Sequence, residues 1–136
     1  MKALLVPPTE IPSIWHEVKP LMKKALNGEE EIIPDDLLEP LLNAKVFMWI
    51  AVDGDQIETV LLCEIVDYPR KKSCYIHVLA TKSGYRFEEL TSLFDNHIIN
   101  FAKINGCDFI EAKVRKGLAK KLTHWNDKHS LITLTI

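Results

Sequence analysis

Residues 46–80 hold three β-branched and aromatic runs separated by two tight polar turns. The first run, 46–52, stops at Asp53-Gly54-Asp55, a hairpin signal. The second, 56–66, stops at Tyr68-Pro69-Arg70-Lys71-Lys72, with Pro69 at the second position of a turn. The third covers 73–80. Connections this short force neighbouring strands to run antiparallel, so the stretch predicts a meander. Residues 87–105 then place Leu90, Phe94, Ile98 and Phe101 at steps of four, four and three, the signature of an amphipathic helix ended by Asn105-Gly106. A further strand is expected at 108–114. If it lies beside the third run it is parallel to it, reached by a right-handed crossover.

The flanks complete the pattern. Residues 2–6 form a short strand stopped by Pro7-Pro8. Ile11, Ile14, Trp15, Val18, Met22, Ala25 and Leu26 recur at helical spacing over 9–27, with Pro20 expected to kink or split that helix. A shorter helix starts at Pro34, with Leu37, Leu38, Leu41 and Leu42 as its buried face. Residues 115–125 read as a basic helix and 130–136 as a last strand. The expected order is β–αα–βββ–α–β–α–β. That is an α/β domain spanning 1–136, built as a mixed sheet with helices on both faces.

Composition removes several classes. At 47% apolar and 26% charged residues the chain is an ordinary globular one. Cys63, Cys74 and Cys107 are an odd number without C-x-x-C pairing, which argues for a reducing compartment rather than a disulfide framework. No apolar run approaches the ~18 residues of a membrane span, and the start of the chain is too weakly apolar for a signal peptide. Residues 1–67 carry 5 Lys/Arg and 13 Asp/Glu, and residues 68–136 carry 12 and 6. A basic second half attracts polyanions, but without aromatic platforms beside its lysines it argues against nucleic acid as the partner.

With these elements in this order, the chain resembles the GNAT N-acyltransferase superfamily over nearly its whole length. The resemblance implies acetyl-CoA as cofactor and an amine-bearing small molecule or protein as acceptor. In that family the loop after the third meander strand reads Gln/Arg-x-x-Gly-x-Gly/Ala, and its amides hold a pyrophosphate at a helix N-terminus. The equivalent stretch here is Thr81-Lys82-Ser83-Gly84-Tyr85-Arg86. Gly84 takes the first glycine position, Thr81 stands where Gln or Arg is usual, and Arg86 where Gly or Ala is usual. The resemblance thus implies that Lys82, Ser83, Gly84, Tyr85, Arg86 and Phe87 hold pyrophosphate. It implies equally that Val78, Leu79 and Ala80 pair with the pantetheine arm. The family's tyrosine in the last helix, which protonates the departing thiolate, falls on Leu122.

A general base in such proteins sits on the meander strands. His77 is the first candidate, because an imidazole takes a proton from an amine near neutrality. Glu64 on the preceding strand is the other. The structural alternatives are a half-buried histidine satisfied by backbone and a solvent-side carboxylate. Strand alternation places Tyr75, His77 and Leu79 on one face and Cys74, Ile76, Val78 and Ala80 on the other. Cys74 and His77 therefore cannot chelate one ion, and no metal is expected. Cys63, Cys74 and the three tryptophans read as core.

Two functions lead at this point, with nucleic-acid binding through the basic second half a weaker third. One is an acyl-CoA-dependent N-acyltransferase or a coenzyme-A-binding relative. The other is a catalytically inactive GNAT-like protein of phage or prophage type, used in virion assembly or host interaction. A cytoplasmic setting in a bacterial host, possible association with virion proteins, and a homodimer through exposed sheet edges belong to these expectations.

Overall fold

The computed structural model describes residues 1–26, 32–82, 87–113, 126–128 and 131–135. In chain order its elements are β1 (Lys2–Val6), α1 (Ile11–Ala25), α2 (Leu38–Leu42), β2 (Val46–Asp53), β3 (Gln56–Asp67), β4 (Lys72–Thr81), α3 (Phe87–Ile104), β5 (Phe109–Lys113), β6 (Asn126–Lys128) and β7 (Leu131–Thr135). Short 3-10 turns precede α1 at Pro8–Glu10 and α2 at Pro34–Leu37. The strands form one sheet in the order β1-β2-β3-β4-β5-β7-β6. All neighbours are antiparallel except β4 and β5. The meander, the parallel crossover strand and the mixed sheet stand as expected.

The β2–β3 hairpin turns on Gly54 and Asp55, with Asp53 facing Gln56. Gly54 has φ +58° and Asp55 stays negative, the pattern of a type II′ turn that needs glycine first. The long helix ends as its sequence signals. Gly106 takes φ +76°, and the Asn105 side chain donates to the Phe101 carbonyl at 2.8 Å.

Both sheet faces are covered, so the central strands are apolar on both sides. One face packs α1 through the fully buried Val18 and Met22 against Met48, Val60 and Leu62. The other packs α3 through Phe94, Ile98 and Ala102 against Trp49, Leu61, Cys63, Cys74 and Ile110. Phe101 meets Trp49 and Phe47 edge-on at 5.8 and 5.1 Å between ring centroids. Trp49 is core as read, Trp15 is half-buried, and Trp125 lies outside the described residues. Among the described residues the Trp49 indole N–H has no acceptor in hydrogen-bonding geometry.

Four details differ from the sequence reading. α1 runs as one helix through Pro20 rather than splitting. Pro20 and His16, whose carbonyl loses its helical partner to the proline, both lie on the exposed side, so the break costs no buried polar group. Leu42 is exposed, because α2 is only five residues long and turns Leu41 inward instead. A seventh strand, β6, pairs with β7 at the sheet margin, where a three-residue run is too short to show periodicity. The expected basic helix at 115–125 lies outside the described residues.

The fourth difference is on β4. Leu62 faces Val78 and Cys63 faces Ile76, so His77 is an extra residue, a β-bulge. Alternation restarts across it. Cys74 and Ile76 pack on the α3 side, while Val78 and Ala80 pack on the α1 side. The single face expected for Cys74, Ile76, Val78 and Ala80 is therefore split in two.

Candidate functional site

β4 and β5 pair over four residues only, from Ser73 with Phe109 to Ile76 with Ala112. Beyond that row β4 continues to Thr81, and no described residue pairs with its β5-side edge. The two parallel strands part where the His77 bulge begins. A bulge increases local twist and bends its strand, which is the physical cause of an opening at this position. Alternate backbone N–H and C=O groups of Val78, Leu79 and Ala80 face the gap as a ready ladder edge. On their other side these residues are held by Leu62, Leu61 and Val60.

The far end of β4 is tied down. The Thr81 hydroxyl donates to the Glu58 carbonyl at 3.2 Å and lies 3.0 Å from the Thr59 hydroxyl. The Lys82 amide donates to the same Glu58 carbonyl at 3.0 Å. Glu58 is itself a bulged residue, since Ala51 faces Thr59 and Val52 faces Ile57. The Lys82 amide is thus spent on the sheet, and only its exposed side chain faces solvent. Of the expected anion loop, Ser83, Gly84, Tyr85 and Arg86 lie outside the described residues. Phe87 opens α3, whose N-terminus follows the end of β4 by five residues.

His77 and Glu64, read from sequence as rival bases, are partners. His77 Nε2 lies 2.7 Å from Glu64 Oε1. The His77 side chain is 27% exposed and that of Glu64 38%, so the pair is half-buried and open to solvent on one side. With Glu64 ionised, Nε2 is the donor and Nδ1 of a neutral ring keeps the lone pair. The Tyr75 ring lies 4.8 Å from the imidazole, tilted by 54°. These groups share the α1 face of the sheet, at the row where the strands part.

A second polar group was not anticipated. Glu111 on β5 is 2% exposed, and the Tyr68 hydroxyl sits 3.0 Å from both its carboxylate oxygens. The Tyr68 ring stacks on Phe109 at 6.2 Å and 12°. Glu111 faces Tyr75, which faces Glu64, so one row across three strands carries both carboxylates. The signal available in the sequence was a carboxylate flanked by apolar Ile110 and Ala112 on a short strand. Burial first, then Glu111, raises the Tyr68 hydroxyl above its ordinary pKa.

Two of the cysteines, Cys63 and Cys107, are held as thiols. Cys63 is pushed well above its ordinary pKa by its hydrogen bond with Cys74 and by burial. Burial pushes Cys107 up to about 11. All three are free and buried, which fits core packing rather than nucleophilic work. Among the described residues no three His, Cys, Asp or Glu side chains are placed to hold a metal ion, and no helix is long and apolar enough to cross a membrane.

No family model matches the chain, and no curated protein is similar to it in sequence. Solved structures are similar in fold. A predicted acetyltransferase from Clostridium acetobutylicum, crystallised with acetyl-CoA, matches with a TM-score of 0.73 at 19% identity, over 94% of this chain and 91% of that one. Aminoglycoside 6'-acetyltransferase type Ii matches at 0.75 and 12% identity, over 99% and 97%. A GCN5-related N-acetyltransferase from Ralstonia eutropha JMP134 matches at 0.70 and 13%, over 94% of each chain. The fold is that of the GNAT acetyltransferases.

Proposed function

We propose that this chain is an N-acyltransferase that moves an acyl group from acyl-CoA to an amine. The observation that carries the reading is the parting of β4 from β5 after Ile76 and Ala112, with the His77–Glu64 pair at that row. The neighbour crystallised with acetyl-CoA supports acetyl-CoA as the donor.

The residues present fit such a donor. The edge at Val78, Leu79 and Ala80, which no described residue pairs, offers hydrogen bonds to the amides of a pantetheine arm. Lys82 and, from the sequence, the amides of Ser83, Gly84, Tyr85, Arg86 and Phe87 are assigned to the pyrophosphate. When bound, acetyl-CoA supplies an activated thioester. His77 takes a proton from the acceptor amine, directly or through one water, and Glu64 holds the imidazole in the tautomer that can accept it. Holding both reactants at one row supplies much of the acceleration, so a modest base suffices.

The second reading is an inactive relative serving phage assembly or host interaction. The departures at Thr81, Arg86 and Leu122 from the family pattern favour it. A thermal-shift titration separates the two. Acetyl-CoA at a hundred times its Kd stabilises the folded chain by about 2.7 kcal/mol, a rise of roughly 9 °C for a domain of this size. No shift at millimolar acetyl-CoA removes the enzyme reading and leaves the scaffold.

A further inference from the structure

The parting of β4 and β5 has two limits, and the bulge at His77 explains only the upper one. Something must also stop the separation from running down the ladder. A parallel pair of four residues is a weak seam, and strand ends beside an open edge fray. At the foot of the seam, the Lys72 amide donates to the Asp108 carboxylate at 2.9 Å and the Asp108 amide to the Lys72 carbonyl at 2.7 Å. Near the top, one side chain bridges it. Tyr68 leaves the end of β3, crosses β4, stacks on Phe109 and bonds Glu111, one residue below the last paired row.

The strand under this crossing is β4 at Ser73, which pairs with Val66 on one side and Phe109 on the other. Ser73 is fully buried and its hydroxyl has no hydrogen-bond partner among the described residues. A small side chain there leaves room for a ring to reach across the strand. The hydroxyl it carries gains nothing, so size rather than polarity is what the position uses.

We infer that Tyr68 and Glu111 form a clasp across β4 that sets the depth of the opening between β4 and β5, and that both are positioning residues for the acyl donor. The second half of this inference rests on the acyltransferase reading. Neither side chain need touch the donor. Tyr68 ties the end of β3 to β5, so the three strands move together below the opening and the donor's edge starts at a defined row. Losing the hydroxyl leaves a buried carboxylate without its donor, and the seam loosens.

Two variants test it. Tyr68→Phe keeps the ring on Phe109 and deletes the hydroxyl; Glu111→Gln keeps an acceptor oxygen for it. Acetyl-CoA affinity is measured by calorimetry, and amide exchange is followed in the peptides holding 73–76 and 109–112. Tyr68→Phe is expected to weaken acetyl-CoA binding about tenfold, the equivalent of one lost hydrogen bond to a charged group. It should also speed exchange in those peptides about tenfold while leaving β1 and β2 unchanged. Glu111→Gln is expected to retain affinity within about threefold of the parent. A lower melting temperature with unchanged affinity and unchanged exchange at the seam overturns the clasp. Faster exchange in a protein that does not bind acetyl-CoA at all supports the clasp and overturns the donor reading instead.

Discussion

Glu64→Gln is the sharpest test of the chemistry at the opening. The substitution keeps shape and volume and removes the charge that faces His77 Nε2 at 2.7 Å. Its cost in stability is bounded by exposure. A pair this open to solvent contributes about 1 kcal/mol or less. With roughly 2.1 cal/mol/K per residue of unfolding entropy, that is a fall of no more than about 4 °C. Its cost in catalysis is set by a different quantity. The glutamine amide can donate to Nε2, which puts the ring proton on Nδ1 and removes the lone pair that Glu64 keeps there. General-base contributions run from about a hundredfold upward, so kcat/KM should fall about a hundredfold, or about 2.7 kcal/mol.

The assay is release of coenzyme A, followed with a thiol reagent, using the best acceptor from a panel of primary amines. The three cysteines of the chain are buried and do not compete for the reagent. The variant should keep the parent's thermal shift with acetyl-CoA, since Glu64 does not line the donor edge. His77→Ala should lose activity to a similar degree, and the double variant should lose little more, because the two act as a unit. If Glu64→Gln retains kcat/KM within about twofold while a base contribution predicts about a hundredfold, the pair is structural and the reasoning fails.

Two further outcomes follow from groups outside the site. Ser73→Ala removes a buried hydroxyl that has no partner among the described residues, and should raise stability by about 1 kcal/mol in urea melts; a loss of stability would mean the hydroxyl is paired after all. Alkaline pH should weaken the fold. Cys63 and Cys107 have folded-state pKa values raised above the ordinary 9.0, Cys107 to about 11. Between those values the unfolded chain has lost protons that the folded chain keeps, so stability is whole below pH 9 and declines as pH rises toward 11. Urea melts across pH 8 to 11 check this, with a Cys107→Ala variant expected to show a shallower decline.

What local chemistry decides was readable from the chain. The meander follows from two tight turns, Gly54 from its need for positive φ, and α3 from the spacing of Phe94, Ile98 and Phe101. His77 and Glu64 were legible as titratable groups on neighbouring strands, but their pairing was not. It depends on register, and one inserted residue at His77 moves every later side chain of β4 to the opposite face. Sequence alternation assumes a regular pleat and cannot see that insertion. Glu111 and Tyr68 are 43 residues apart and meet because β4 lies between them, a contact no local pattern encodes. The opening itself belongs to the same class. Residues 72–81 and 109–113 state that two strands exist, whereas only their unequal lengths and the bulge between them in space decide where they stop touching.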